Sequence, residues 1–299
     1  MDSYRDIPMI SVDPDVLVDL PCETGEGPLW DDRNQSLTWN DIPPGTLYRY
    51  TPATGENVVI HQHDDAIGGH TLQEDGSLVV FAADGFIFTL RNGVTNTVVL
   101  SVREVVGSRF NDVASGPNGE VFCGTMPLND GDARLYRLDP DGSLHLIWDD
   151  IGLSNGIGFS PDEKTMYLSD SNKRVIYRAD YDKSDSSLAN REVLIRLDSD
   201  SAVPDGMTVD ANGDLWVAVW DGNCMLHYSP EGEIIDKMNF PVKKISSVNF
   251  GGSDFGTAFV TTAGGKNRDG DDGAMAGSLF AVDLPGVRGK SDYRSRILL

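Results

Sequence analysis

Short apolar segments separated by polar turns recur along the chain. In residues 151–170, a polar start (Ser154, Asn155, Gly156) precedes a short apolar segment, a Pro-Asp turn and a second alternating segment. The same layout returns at residues 204–219 and 110–125, with weaker copies at residues 25–40, 68–81 and 247–260. Alternation of apolar and polar residues with a period of two predicts half-buried β-strands.

The six copies are almost evenly spaced. Their turns centre on Asp32, Asp75, Asn118, Asp162, Asn212 and Asp254, at steps of 43, 43, 44, 50 and 42 residues. A period of about 40–50 residues that carries several short strands is typical of a β-propeller blade. Because one blade cannot bury both of its faces, blades must pack in a ring. The sequence therefore predicts an all-β fold, a six-bladed β-propeller that forms a single domain over residues 1–299.

The two ends and one insertion complete this prediction. Residues 1–14 are expected to form a loose N-terminal arm. Residues 15–20 alternate weakly and have no partner in the repeat scheme, so we expect them to close the ring as the outer strand of the last blade. The step of 50 residues is assigned to a polar insertion at residues 183–190.

Polar residues recur at one phase of the repeat. Seven residues before the last four turns lie Asn111, Asn155, Asp205 and Ser247; Glu26 lies six before the first turn, and Gly69 and His70 lie in the same region of the second copy. In a propeller the strand that follows would be innermost, so these positions would converge on the ring axis. Such convergence predicts a site. The alternative is that each residue caps a strand and binds backbone amides, as Asn and Asp often do in turns.

The chemistry of this set indicates a hard cation. Glu26, Asn155 and Asp205 offer only carboxylate and carboxamide oxygens. Oxygen-only sets suit Ca²⁺, Mg²⁺ or Mn²⁺ better than structural zinc, which prefers Cys and His. Three protein ligands would leave positions open for a substrate.

Net charge excludes some partners. The formal charge of -23 disfavours binding to nucleic acid or to an anionic membrane, because both would repel the protein. Two explanations of the acidity stay open: aspartates that form turns and aid solubility, or adaptation to high salt. Adaptation predicts that the melting temperature rises clearly between low salt and molar NaCl, since screening relieves self-repulsion. A flat response would leave turn chemistry as the explanation.

Cysteine usage and the N-terminus indicate a cytoplasmic protein. Cys22, Cys123 and Cys224 are odd in number and lack metal-site spacing, so we expect reduced, mostly buried thiols. The first ten residues show neither a basic nor an apolar signal region, and no apolar run has the length of a transmembrane helix.

Six short motifs occur in a distinctive order. They are GEGPLW at 25–30, RFND at 109–112, GTM at 124–126, SNGI at 154–157, PDGM at 204–207 and DLWVA at 214–218. In this order and spacing the chain resembles the family of regucalcin (senescence marker protein), gluconolactonases and luciferin-regenerating enzyme. The resemblance covers nearly the whole chain.

The resemblance implies a six-bladed propeller with one divalent metal ion at its axis. Glu26, Asn155 and Asp205 would be the metal ligands, with Ca²⁺ as first choice and Mn²⁺, Mg²⁺, Zn²⁺ or Fe²⁺ as alternatives. Asn111 would lie beside the metal and hold substrate or a water, and Arg109 would bind substrate hydroxyls. Asp205 would also be the catalytic acid/base. Family members often hydrolyse sugar lactones.

Two further residues are assigned to the substrate. Asn129 follows Pro127 and Leu128 in the segment where regucalcin-like members carry acidic residues that contact sugar. His70 is either a substrate contact or a strand-mouth side chain bonded to a loop.

The expected activity is metal-dependent hydrolysis of a small-molecule lactone by a monomer or weak homo-oligomer. A metal-dependent esterase or phosphotriesterase and a non-enzymatic calcium-binding propeller are the alternatives. The sequence lacks a GxSxG elbow, which disfavours a serine hydrolase.

Overall fold

The computed structural model describes residues 7–129 and 132–299 of the chain. Within these ranges the regular structure consists of 24 β-strands and two 3₁₀ turns, at Arg103–Val105 and Gly265–Asn267. No helix in the described residues is long and apolar enough to cross a membrane.

The strands form six antiparallel sheets of four strands each and are numbered in chain order. The first sheet contains β2 (Gly25–Asp31), β3 (Ser36–Asp41), β4 (Thr46–Thr51) and β5 (Glu56–Gln62); the second contains β6 (Ile67–Leu72), β7 (Leu78–Ala82), β8 (Ile87–Arg91) and β9 (Val94–Val99). The third contains β10 (Phe110–Ser115), β11 (Val121–Thr125), β12 (Ala133–Leu138) and β13 (Leu144–Ile151); the fourth contains β14 (Ser154–Phe159), β15 (Thr165–Asp170), β16 (Val175–Asp182) and β17 (Ser187–Arg196). The fifth contains β18 (Val203–Val209), β19 (Leu215–Trp220), β20 (Cys224–Tyr228) and β21 (Ile234–Asn239); the sixth contains β22 (Ile245–Gly251), β23 (Thr257–Thr262), β24 (Leu279–Asp283) and β1 (Asp15–Val18).

Burial falls from the inside of each sheet to the outside. Every residue of the inner strands β6, β14 and β22 is buried, whereas most residues of the outer strand β9 are exposed. Inner strands contact inner strands of neighbouring sheets, as β6 does with β10 and β14 with β18. The predicted six-bladed β-propeller is confirmed, and each sheet is one blade.

Both ends of the chain contribute to the sixth blade. β1 pairs antiparallel with β24, with Asp15 opposite Ala281 and Val16 opposite Phe280. The first and last repeats are therefore joined by backbone hydrogen bonds, which leaves the ring without a break at this point.

The N-terminal arm is not loose in its described part. The amide of Ile10 donates to the carbonyl of Lys237 at 2.9 Å, and the amide of Lys237 donates to the carbonyl of Pro8 at 3.0 Å. Ile7, Ile10 and Val12 pack against the cores of the fifth and sixth blades. This corrects the expectation for residues 7–12, whose apolar side chains find a surface to cover; residues 1–6 of the predicted arm lie outside the described residues.

The insertion in the fourth blade is also ordered. β16 and β17 continue as a long hairpin in which Asp182 pairs with Ser187. Residues 183–190 thus form a turn and the start of a strand, because added residues in a hairpin can extend its ladder of hydrogen bonds.

The hydrophobic core consists of layers between adjacent blades. Trp216 of the fifth blade packs with Phe250 and Phe280 of the sixth. Trp30 of the first blade stacks on Phe259 of the sixth, with ring centroids 5.4 Å apart. Each blade is therefore held by its two neighbours.

The C-terminal tail crosses the face of the ring that carries the β-turns of the repeats. The amides of Ser295, Arg296 and Leu298 each donate at 2.8 Å, to carbonyls of Leu72, Gly119 and Pro140. Arg294 pairs with Asp31 at 2.7 Å and with Asp32 at 2.6 Å. The tail thus ties several blades together at the end of the inner strands opposite to the predicted site.

Candidate active site

Each inner strand has an irregular register near its start. In four blades two successive residues lie opposite one residue of the neighbouring strand: residues 27–28, 111–112, 155–156 and 205–206. Such β-bulges bend a strand and redirect its side chains, and they are common beside active sites. The predicted site residues Asn111, Asn155 and Asp205 all lie in these bulges, and Glu26 immediately precedes one.

Glycine is required in two of the bulges. A Cβ atom on Gly156 would lie 2.5 Å from the amide nitrogen of Met207, and one on Gly206 would lie 2.2 Å from Oγ of Ser247. Neighbouring inner strands approach too closely there for any side chain. The glycine in each of the SNG and PDG motifs therefore lets the blades bring their polar residues together.

Five of the predicted residues line one open pocket at the ring axis. This pocket has a volume of about 300 Å³, and its polar lining includes Glu26, Arg109, Asn111, Asn155 and Asp205. Met126, Leu153, Val203 and Trp220 supply apolar parts of the wall. The side chains of Glu26 and Asp205 belong to residues that are only 3% and 4% exposed, so both carboxyl groups are held in a nearly dry setting.

A chain of hydrogen bonds runs from Arg109 through the two asparagines of the pocket to Ser171. Arg109 Nη1 donates to Asn111 Oδ1 at 2.5 Å, and Asn111 Nδ2 donates to Asn155 Oδ1 at 2.6 Å. Asn155 Nδ2 donates to Ser171 Oγ at 2.7 Å, and Ser171 Oγ donates to the carbonyl of Pro204 at 2.6 Å.

This chain fixes the orientation of Asn155. The hydroxyl of Ser171 uses its hydrogen on the Pro204 carbonyl, so its oxygen is an acceptor toward Asn155. The NH₂ group of Asn155 must therefore face Ser171, and its carbonyl oxygen must face the pocket. An outer residue that orients a ligand oxygen in this way is a common feature of metal sites.

Buried like charges raise the pKa values of the acids in this region. The pKa of Glu26 lies well above its usual range because of burial and the nearby charges of Asp112 and Asp205. The pKa of Asp205 is also raised strongly, by burial and by Asp112, against the opposing effect of Arg109. Burial raises the pKa of Asp112 to about 7. Three acids facing one arginine leave a site that favours a bound cation.

These shifts predict how the metal-free protein responds to pH. All three acids bind protons more readily in the folded than in the unfolded chain, so stability is highest below the unfolded pKa of about 4 and falls as pH rises toward 7. We expect the melting temperature of chelated protein to fall over this range, and a saturating divalent cation to reduce the fall. Asp112→Asn should flatten the slope, whereas Asp13→Asn on the exposed arm should not; equal slopes in all three proteins would refute this origin.

The residues fit a hard divalent cation. The candidate ligands are two carboxylates and one carboxamide oxygen with a fixed orientation, and the excess of buried negative charge needs a cation for relief. The pocket contributes neither a thiolate nor an imidazole to this set.

His70 lines a different cavity from the other predicted site residues, so its contact with a substrate in the axial pocket stays a prediction without support from this geometry. A second cavity of about 100 Å³ is lined by His70, Asp112, Asn249, Lys290 and Asp292, and the C-terminal tail contributes to its wall. His70 Nε2 lies 2.9 Å from Thr38 Oγ1, and burial lowers the pKa of His70 to about 4. The alternative, a strand-mouth side chain bonded to a loop, differs from the structure in its partner, because Thr38 lies on β3 of the first blade and not on a loop.

Asn129 lies on the loop that follows Met126. Its side chain is exposed, its backbone is left-handed with φ of 53°, and it is not one of the described residues that line the axial pocket. Contact between Asn129 and a substrate stays a prediction.

Two residues beside the pocket were not predicted. Asp112 raises the pKa values of Glu26 and Asp205, and Ser171 orients Asn155. Asp112 could have been found, because it ends the RFND motif and follows a site residue; Ser171 gives no such signal, since it contacts Asn155 across the blade.

Comparison with known proteins agrees with this geometry. Residues 24–264 match the sequence model described as the SMP-30/gluconolactonase/LRE-like region. The chain belongs to this family. The match includes all of the residues that line the axial pocket.

Three similar proteins extend the comparison to nearly the full chain. The pentonolactonase XacC of Haloferax volcanii is 37% identical over 95% of this chain and 98% of its own length. Regucalcin of Danio rerio is 31% identical over 95% of this chain and 99% of its own. The solved structure of an Agrobacterium tumefaciens regucalcin, described as a calcium-binding protein, is 25% identical with a TM-score of 0.88, covering 97% of this chain and 99% of that one.

Proposed function

We propose that the protein is a lactonase, a carboxylic ester hydrolase that opens sugar lactones with one divalent cation in the axial pocket. The observation that carries this proposal is the convergence of Glu26, Asn155 and Asp205 on one open pocket. The names of the relatives support it, since one is a pentonolactonase and another is described as calcium-binding.

Glu26, Asn155 and Asp205 would hold the cation, with Ca²⁺ as first choice. When bound, the ion supplies a Lewis acid that stabilises negative charge developing on the lactone carbonyl oxygen. Glu26 has ligation as its single role. Asn155 supplies an oxygen whose direction is set by Ser171 before any ligand binds.

Arg109 and Asn111 position the substrate. The guanidinium of Arg109 donates to Asn111 and to the carbonyl of Phe110 through Nη1, which leaves its other nitrogen donors for sugar hydroxyls in the pocket. Asn111 contacts both Arg109 and Asn155, so it couples the substrate side of the pocket to the cation side.

Asp205 is the acid/base. It accepts a proton from a water whose oxygen attacks the carbonyl carbon, and it returns the proton to the ring oxygen as the bond between that oxygen and the carbonyl carbon breaks. The product is an open-chain hydroxy acid. Burial raises the pKa of Asp205 in the cation-free pocket, and a bound cation would oppose this shift and keep the carboxylate ionised as a base.

Size and polarity favour sugar lactones over large esters. At about 300 Å³ the pocket is at the lower end of the range for small-molecule sites. Its hydrogen-bonding groups suit a ring with several hydroxyls. An aromatic phosphotriester offers no hydroxyls to the remaining nitrogen donors of Arg109, and leaving buried donors unpaired is costly.

A pH-drop assay with a panel of lactones tests the proposal. The panel contains five- and six-carbon aldonolactones, an unsubstituted lactone, an aryl ester and a phosphotriester, each with and without chelator. We expect chelator-sensitive hydrolysis of at least one aldonolactone at a kcat/KM well above that for the other three classes. Faster turnover of the phosphotriester, or no turnover of any aldonolactone with Ca²⁺ present, would contradict it.

We further propose a cytoplasmic protein that is a monomer or a weak homo-oligomer. Cys22, Cys123 and Cys224 are buried and take part in no disulfide, which is compatible with a reducing compartment.

A further inference from the structure

The fifth blade carries a second group of metal-ligand side chains, away from the axis. Asp210 and Asp214 lie in the turn between β18 and β19, and His227 lies on β20. One donor atom from each of these three residues lies within 4.8 Å of the others. Asp214 begins the DLWVA motif, but the proposed reaction does not use this group.

The register of the sheet builds the group. His227 lies opposite Trp216 on one side and opposite Asp236 on the other, so the three side chains share one face of the blade. The ring of His227 stacks on Trp216 with centroids 4.0 Å apart and an interplanar angle of 13°. The residue is 8% exposed, and this packing holds its ring in one plane.

Hydrogen bonding determines which ring nitrogen of His227 is free. Nδ1 lies 2.9 Å from Asp236 Oδ1, and a carboxylate only accepts, so Nδ1 carries the hydrogen. Nε2 is buried without a hydrogen-bond partner among the described residues, and it faces Asp214 Oδ2 at 3.4 Å. In the neutral imidazole, the Nε2 lone pair would therefore point at a negative oxygen, which requires either a proton or a metal ion between them.

The carboxylate of Asp210 is also fixed near the donor atoms of Asp214 and His227. Its Oδ1 accepts the amides of Asn212 at 2.8 Å and of Asp214 at 3.0 Å, and its Oδ2 accepts the indole N–H of Trp216 at 3.2 Å. These bonds fix the carboxylate and leave lone pairs available. Among the ion pairs of the described residues, Asp214 and Asp236 pair with His227 alone, and Asp210 pairs with no Lys or Arg.

We propose that Asp210, Asp214 and His227 form a second metal site, which takes a divalent transition ion of the zinc type. A carboxylate that orients a metal-binding histidine through its other nitrogen, as Asp236 does here, is the usual outer shell of such sites. Two carboxylates and an imidazole suit Zn²⁺, Co²⁺ or Mn²⁺. Charge also favours the ion, because three carboxylates around one imidazole are better neutralised by a divalent cation than by a single proton.

The distances require a local adjustment. Ligand atoms at about 2.0–2.2 Å from one tetrahedral zinc ion lie about 3.3–3.6 Å apart. The pair formed by His227 and Asp214 already meets this spacing at 3.4 Å, and the other separations, all within 4.8 Å, must close by up to roughly an ångström. The site would tie the β18–β19 turn to β20, and its role would be structural.

The test is metal stoichiometry measured with Zn²⁺ and Co²⁺ as probes. Full-length protein is stripped with chelator, incubated with Zn²⁺ and examined by native mass spectrometry; with Co²⁺, visible absorption reports the ligand field. We expect two ions per chain for the wild type and one for His227→Gln. Asp214→Asn should also bind one ion per chain. Because this substitution leaves the stack of His227 on Trp216 intact, it provides the test if His227→Gln fails to fold.

Two controls separate this site from the axial pocket. His145→Gln removes an exposed histidine that lies 3.2 Å from Asp139, and it should still bind two ions. Glu26→Gln weakens the axial site and should retain the ion of the fifth blade, while Asp214→Asn should keep lactone turnover within about twofold of the wild type. An unchanged number of bound ions in both His227→Gln and Asp214→Asn, or an unchanged Co²⁺ spectrum in Asp214→Asn, would overturn the proposal.

Discussion

Replacing Asp205 by Asn is expected to lower lactone turnover by roughly 10²–10⁴-fold even when the divalent cation is saturating, which is the usual contribution of a positioned acid/base. The substitution keeps the shape of the side chain and one oxygen but removes its charge and basicity. Cation affinity should fall as well, because one buried carboxylate is lost. The measurement is steady-state lactone hydrolysis at increasing Ca²⁺ concentrations until the rate no longer rises.

Two matched variants separate ligation from proton transfer. Glu26→Gln should be largely rescued by excess cation, because ligation is its only proposed role. Asn111→Ala should change cation affinity by less than about tenfold, or about 1.4 kcal/mol, and act mainly on lactone turnover. If saturating cation restores Asp205→Asn to nearly the wild-type rate, Asp205 is only a ligand. The base would then have to be sought elsewhere; His70 and Asp112 are the candidates, and both line the second cavity.

Removing the cation is expected to abolish lactone hydrolysis while the fold persists. The blades are held by apolar layers between neighbours, by β1 on β24 and by the C-terminal tail, and none of these depends on the axial pocket. Circular dichroism and thermal melting of the chelated protein should therefore show a folded chain with cooperative unfolding. Activity should return on adding Ca²⁺, and in part with Mn²⁺ or Mg²⁺, because oxygen ligands accept all three ions.

Two outcomes of this experiment would count against the account. Full activity in the chelated protein would exclude the proposed role of the cation. Loss of structure on chelation would show that the ion holds the blades together. The loss of activity would then follow from unfolding and would give no support to a catalytic role of the cation. Protein incubated with the chelator already saturated by Ca²⁺ is the control for effects of the chelator itself.

The repeat pattern predicted the architecture and much of the pocket from the sequence. Residues at one phase of a repeat must occupy equivalent places in equivalent blades, so Asn111, Asn155 and Asp205 could be placed together without coordinates. That argument fixes the position of a backbone and not the direction of a side chain. The bulges at residues 111–112, 155–156 and 205–206, which redirect these residues, leave no mark in the spacing of the turns.

His70 shows the limit of this reasoning. The bulge of its blade lies between Ile67 and Gly69, and His70 comes after it, paired opposite Val80. Asn111, Asn155 and Asp205 lie inside their bulges instead. Because side chains alternate between the two faces of a regular strand, a similar position in the repeat does not place His70 in the axial pocket, and it lines the second cavity.

The repeat pattern also did not predict contacts between segments that lie far apart in the chain. Ser171 orients Asn155 from the loop after β15, and residues 7–12 pack on blades that are more than 200 positions away in the chain. Such contacts depend on shape at the surface of a folded ring. No local periodicity encodes them.

The most direct test of the central claim is an anomalous difference map from crystals of the active protein grown with Ca²⁺. The account predicts a single strong peak in the axial pocket, at about 2.3–2.6 Å from a carboxylate oxygen of Glu26, Oδ1 of Asn155 and a carboxylate oxygen of Asp205. An empty axial pocket in crystals whose protein still hydrolyses the lactone, or a peak that lacks contact with these three residues, would contradict it.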